Sequence, residues 1–217
     1  MLETLFSDGT CFAINRAAHG VLPFPKTMEI YSLDEELSGV VLLANDRKKV
    51  ATLRNCLGSR GMGFHFLLLA RSVSDLPGEI SCPLPMGKHR RENRMFISHR
   101  NGKKTFTQFE QLDHFRSHTL WSAKTDFPRR HQIRLHAHEV GIPVLGEDLY
   151  DQIPLPFLSD FKKHVKPNRK EFLAPLYASI CIHLLRIDFP GENGTVTVEA
   201  PLPDKWNAML KIIKKWN

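Results

Sequence analysis

Residues 31–44 read Tyr31-Ser32-Leu33-Asp34-Glu35-Glu36-Leu37-Ser38-Gly39-Val40-Val41-Leu42-Leu43-Ala44. A short acidic segment runs into an unbroken apolar stretch, and the β-branched and leucine content of Gly39–Ala44 suits a strand buried on both faces. Carboxylates delivered to the end of a buried strand are either part of a solvated turn, with Asp34 capping it, or a chemical site. The segment by itself leaves Asp34 as a turn residue.

Working outward, Cys11–Asn15 is a second short apolar run followed by the turn-like His19-Gly20. On the other side, Asp46 can cap a helix in which Val50, Leu53 and Leu57 fall at helical spacing and Gly58 serves as the C′ glycine. Phe64–Ala70 again has strand composition, and Thr105–Leu112 and His118–Lys124 are weaker strand candidates. From His131 to Val140, Ile133, Ala137 and Val140 mark one face of a helix that Gly141 ends, with His131, Arg134 and His138 opposite. Tyr177–Asp188 and Thr195–Glu199 read as strands joined at Gly191-Glu192-Asn193-Gly194. A closing helix capped by Asp204 carries Trp206, Met209, Leu210, Ile213 and Trp216 on one stripe. The segment Asp151–Lys170, with Pro154, Pro156 and Pro167, reads as an insertion that wraps the surface. The fold class is α+β, with a mixed, mainly antiparallel sheet and flanking helices, and the whole of 1–217 reads as one domain.

The 217 residues are 42% hydrophobic and 24% charged, which is ordinary globular composition. The formal net charge of +7 favours a polyanionic partner, because phosphate contacts supply most sequence-independent affinity for nucleic acid. That charge is concentrated. Between Lys88 and Lys104 there are seven Lys or Arg, with Lys88, Arg90, Arg91 and Arg94 leading, against the single acid Glu92, as expected of an exposed phosphate-contacting arm. The longest apolar runs fall well short of the roughly 20 residues a spanning helix needs, so no membrane partner is expected. Cys11, Cys56, Cys82 and Cys181 lie far apart and read as free thiols in a reducing, cytoplasmic compartment. His131, His136 and His138 lack the spacing of a metal site, and no metal is expected.

Five blocks resemble the RluA-type pseudouridine synthases, in that family's order. They are Phe12–Arg16 with Gly20; Tyr31–Gly39, similar to H-R-L-D-x-x-T-S-G; Arg129-Arg130-His131-Gln132-Ile133-Arg134-Leu135-His136, similar to G-R-T-H-Q-I-R-x-H; Pro143–Tyr150; and Ala200–Pro203. The resemblance implies a sheet bent around a central cleft with Asp34 as the catalytic carboxylate on its floor. It also implies a catalytic domain without the N-terminal S4-type module that many relatives carry. A carboxylate in a water-poor cleft needs a fixed cation to stay charged, and Arg134 is the expected ion-pair partner. Ser32 stands where the family has an arginine associated with base flipping. His65 stands where it usually has a tyrosine, and is expected to stack on the target base or shuttle a proton. Arg129, Arg130, His131 and Gln132 join the basic arm as expected RNA contacts. The implied function is isomerisation of uridine to pseudouridine in structured RNA, rRNA or tRNA, by a monomer that needs no cofactor. The alternative is an RNA-binding pseudoenzyme that aids RNA folding or ribonucleoprotein assembly.

Overall fold

The structure is a computed structural model that describes residues 3–158 and 174–216. In chain order the elements are β1 (Glu3–Ser7), β2 (Cys11–Arg16), β3 (Ser38–Ala44), α1 (Arg47–Gly58), β4 (Gly63–Arg71), β5 (Glu79–Cys82), β6 (Met86–Lys88), β7 (Met95–Ile97), β8 (Thr107–His114), β9 (His118–Thr125), α2 (Gln132–Glu139), β10 (Ile182–Gly191), β11 (Gly194–Glu199) and α3 (Asp204–Trp216). Nine strands form one sheet in the order β1-β2-β3-β10-β4-β9-β8-β5, with β11 also paired to β10, while β6 and β7 make a separate hairpin. Among the described residues, only β3 and β10 pair in parallel. Irregular registers at Thr4/Phe6, Leu184/Arg186 and Gln111/Asp113 supply the local bends that curve a sheet.

The continuous apolar runs are the strands covered on both sides. In β4, Phe64, Phe66, Leu68 and Ala70 enter the core shared with α1 and α2. Leu67 and Leu69 alternate onto the opposite face, against Trp206, Met209 and Ile213 of α3. Where β3 meets β10, Gly39 has a φ of +130°, and a Cβ there would lie 2.2 Å from the Leu184 carbonyl oxygen. Only glycine permits that approach, so the junction after the acidic segment is fixed by one missing side chain.

Local chemistry explains most departures from expectation. Asp46 does cap α1, its carboxylate accepting the Lys49 N–H at 2.8 Å. Gly58, however, is the last helical residue, and Arg60 (φ 62°) is the left-handed one. A glycine in a final turn costs only about 1 kcal/mol, and Arg60 at φ > 0 costs about 1–2 kcal/mol, so the exchange of roles is small in energy. β10 begins at Ile182, not Tyr177, because Cys181 is engaged elsewhere. Its N–H donates to Leu145 O at 2.8 Å and its carbonyl accepts from Leu69 at 3.0 Å. The strands β1 and β5, at the two ends of the sheet order, carry too little buried patterning to announce themselves. Much of the expected 151–170 insertion lies outside the described residues, as does the side chain of Trp216. All four cysteines are free, and no helix among the described residues is long and apolar enough to cross a membrane.

Candidate active site

The acidic segment 33–37 is held from below by a residue the sequence left without a role. Arg16, buried at the end of β2, donates to the carbonyls of Leu33 (3.2 Å), Leu37 (2.9 Å) and Asp34. One guanidinium satisfying three carbonyls of the same loop replaces the strand ladder that this segment lacks. The His19 N–H adds a fourth bond, to Glu35 O at 2.7 Å. The loop therefore presents Asp34 in one place, on a cleft of about 530 Å³ whose walls include Val21, Leu22, Phe24, Ser32, Asn93 and Arg130.

Across the cleft the sequence R-R-H-Q turns into α2 with His131 in the left-handed conformation (φ 54°, ψ 15°). That turn aims the His131 backbone N–H at Asp34 Oδ2, 2.9 Å away. The carboxylate thus lies at the positive end of a short helix. Burial nevertheless dominates its titration. It raises the Asp34 pKa from 3.8 to about 6, against the pull of the His131 N–H and of the Arg134 and Arg130 charges, with Glu36 reinforcing the rise.

The reason is that Arg134 is committed elsewhere. Its guanidinium, 1% exposed, makes a bidentate pair with Glu147, equally buried, with Nε–Oε2 at 2.7 Å and Nη2–Oε1 at 2.8 Å. Nη1 lies 3.0 Å from Glu36 Oε1 as a charge contact without an aligned hydrogen bond, and Asp148 lies 3.7 Å from Nη2. No ion pair joins Arg134 to Asp34 among the described residues, which corrects the expected partnership. Arg134 acts on Asp34 through space, its charge already divided among three carboxylates. Glu147 also accepts the N–H groups of Leu149 (2.9 Å) and Tyr150 (3.2 Å), so it both neutralises Arg134 and shapes the following loop. Sequence reasoning missed it, although it stands within the Pro143–Tyr150 block.

His65 is the clearest correction. Its neighbours Phe64 and Phe66 point into the core, and His65 itself faces the other way. There its Nε2 meets Asp188 Oδ2 at 2.9 Å, beside Arg186. It does not line the Asp34 cleft and cannot replace a stacking tyrosine there. Gln132, 1% exposed, is likewise structural. Its amide donates to Phe106 O and to the hydroxyls of Thr107 and Thr125, and its oxygen accepts the Arg129 N–H. The His131 side chain is also buried, although the residue stands on the cleft wall. Arg129 is half-buried, its guanidinium stacked 4.7 Å over the Phe127 ring. Arg130 is exposed and does line the cleft. The basic arm is as expected an exposed hairpin: Lys88, Arg90, Arg91 and Arg94 are exposed at or between β6 and β7, with Asn93 reaching the cleft wall. Arg94 spends part of its charge on Glu92 at 2.6 Å.

With this geometry in view, the chain matches the family described as RNA pseudouridylate synthase over residues 28–139, 112 of its 217 residues. The ribosomal large subunit pseudouridine synthase D of Haemophilus ducreyi is 24% identical over 194 residues, covering 88% of this chain and 57% of the relative. The ribosomal large subunit pseudouridine synthase C of Buchnera aphidicola is 27% identical over 208 residues, covering 95% and 63%. The chain therefore spans about half to two-thirds of the length of these curated relatives. Among solved structures, human RNA pseudouridylate synthase domain containing 4 superposes with a TM-score of 0.75 at 17% identity, covering 98% of this chain and 93% of that one. Human RNA pseudouridylate synthase domain containing 1 gives 0.68 at 19%, covering 94% and 84%. The family match spans both the Asp34 loop and the α2 turn that faces it, and the neighbours share the sheet that brings the two together; the chain belongs to the RNA pseudouridylate synthase family, in its RluA-type branch.

Proposed function

We propose that the chain isomerises uridine to pseudouridine in RNA, with Asp34 as the catalytic carboxylate. The observation that carries this is the placement of Asp34: of the four carboxylates that line the cleft, Glu29, Asp34, Glu35 and Glu36, it is the one held by the His131 backbone N–H, desolvated, and acted on by the Arg130 and Arg134 charges. The reaction breaks the bond between uracil N1 and ribose C1′, turns the ring, joins C5 to C1′, and releases the C5 proton while N1 takes one up, so that the product is an isomer of the substrate. Either role open to Asp34, nucleophile or base on the ribose, requires its ionised form. The relatives named for the ribosomal large subunit support ribosomal RNA as the substrate. We also propose that the chain acts as a one-domain monomer, without a cofactor, in the cytoplasm.

Two outcomes can be measured. With a carboxyl pKa of about 6, kcat/KM falls as pH drops through about 6, one proton abolishing one active site. His131, held near 4 chiefly by burial, stays neutral throughout and adds no second step above pH 5. A pH–rate profile checks both. On the binding side, Arg90→Glu together with Arg91→Glu is expected to lower the slope of log Kd against log salt by about 2, since each lost phosphate contact removes roughly one unit. Filter binding over a salt series reads it directly.

The decisive experiment is to treat RNA from cells lacking the protein and measure pseudouridine by chromatography of the digested nucleosides. Conversion is expected in ribosomal RNA. The second reading, an RNA-binding pseudoenzyme, draws on Ser32, exposed at the cleft wall and too short to fill a vacated base stack. RNA binding without conversion in any pool would replace the first reading with the second.

A further inference from the structure

The turn that presents the His131 N–H to Asp34 is held in a conformation that side chains other than glycine disfavour, so something must tie it down. The tie is visible. Tyr150 Oη lies 3.0 Å from His131 Nδ1, and the same hydroxyl oxygen accepts the Met95 N–H at 3.0 Å. Because His131 is neutral, one assignment satisfies every group: the tyrosine O–H donates to Nδ1 and its oxygen accepts from Met95. The tyrosine is fixed in turn, its N–H bonded to Glu147 and its ring lying 5.7 Å from the Arg134 guanidinium. Met95 opens β7, the return strand of the basic hairpin. A continuous chain of hydrogen bonds thus runs from the hairpin that carries Arg90, Arg91 and Arg94 to the reactive carboxylate.

We propose that Tyr150 is a positioning residue: its hydroxyl locks the basic hairpin to the His131 imidazole and thereby holds the His131 N–H on Asp34. The inference rests on the reading of Asp34 as the catalytic group. The groups that set the Asp34 charge are Arg134 and the His131 N–H from α2 and its cap, Arg130 from the preceding turn, Glu36 from its own loop, Arg16 from β2, and the phenols of Tyr31 and Tyr150. Besides the Tyr150 phenol itself, which is uncharged at the pH values where Asp34 titrates, the group that the hydroxyl ties in place is the His131 N–H; the ring contact with Arg134 does not involve the hydroxyl.

Tyr150→Phe removes the hydroxyl and keeps the ring. With the N–H released, the midpoint of the Asp34 carboxyl, followed by carbon-13 NMR against pH, is expected to rise by roughly one unit. The acid limb of kcat/KM should rise with it while RNA Kd stays within about two-fold, because no phosphate contact is lost. His131→Ala cuts the other end of the same tie and must give the same shift, with no further shift in the double variant. Arg90→Glu with Arg91→Glu weakens RNA binding and leaves the titration in place. An unchanged Asp34 midpoint in either folded single variant overturns the proposal. A shifted midpoint in a chain whose wild type converts no uridine would instead leave the positioning intact and refute the catalytic reading beneath it.

Discussion

Glu147→Ala is expected to destabilise the folded chain by about 3–5 kcal/mol, because it leaves the Arg134 guanidinium buried with its main partner gone. Glu36 and Asp148 cannot take over. Glu36 makes a charge contact without an aligned hydrogen bond, and Asp148 is 88% exposed, where an ion pair contributes about 0–1 kcal/mol. The loss also strands the N–H groups of Leu149 and Tyr150. Urea unfolding checks the magnitude. The paired change Arg134→Met with Glu147→Leu separates structure from function. It removes both charges together and is expected to recover most of the lost stability, yet it takes away a charge that helps ionise Asp34, so the acid limb of activity should move above pH 6.

Asp34→Asn is expected to abolish turnover, by about 10⁴-fold or more, and at the same time to stabilise the protein. The sign follows from the raised pKa. Folded Asp34 titrates near 6 against an ordinary value of 3.8, so the folded state favours the protonated carboxyl. That contribution is complete below about pH 4 and is lost as pH rises through 6. At pH 8 the wild type has forfeited it. The full shift would correspond to about 3 kcal/mol, which water access to the cleft reduces to about 1–2 kcal/mol. Asparagine is never ionised and can still accept the His131 N–H. The gain in unfolding free energy at pH 8 should therefore disappear by pH 4. Equal stability at both pH values would mean that the cleft does not desolvate the carboxylate.

Strands covered on both faces announced themselves through composition: Gly39–Ala44 and Phe64–Ala70 could hardly be anything else, and Asp46 carried its capping chemistry in plain view. Edge strands such as Glu3–Ser7 did not, because an element with one partner and little buried surface has no pattern to impose. At the site, Asp34 and Arg134 were legible as members of ordered blocks, but their pairing was not. The blocks hold several carboxylates, of which Glu36, Glu147 and Asp148 lie within reach of the guanidinium, and only packing decides that Glu147 is buried with it. His65 failed for a related reason. Strand alternation separates it from Phe64 and Phe66, yet both faces of β4 are covered, so alternation cannot say which face meets the cleft. Arg16 acts wholly through backbone carbonyls and Tyr150 through a side-chain tie across the fold, contacts that leave no trace in linear order.

The most direct test is single-turnover release of tritium from C5-labelled uridine in ribosomal RNA, measured at pH 8 for the wild type and for Asp34→Asn under conditions where both bind the RNA equally. Release by the wild type and none above background by the variant is the expected result. Comparable release by the two proteins would show that the isomerisation does not depend on the Asp34 carboxylate.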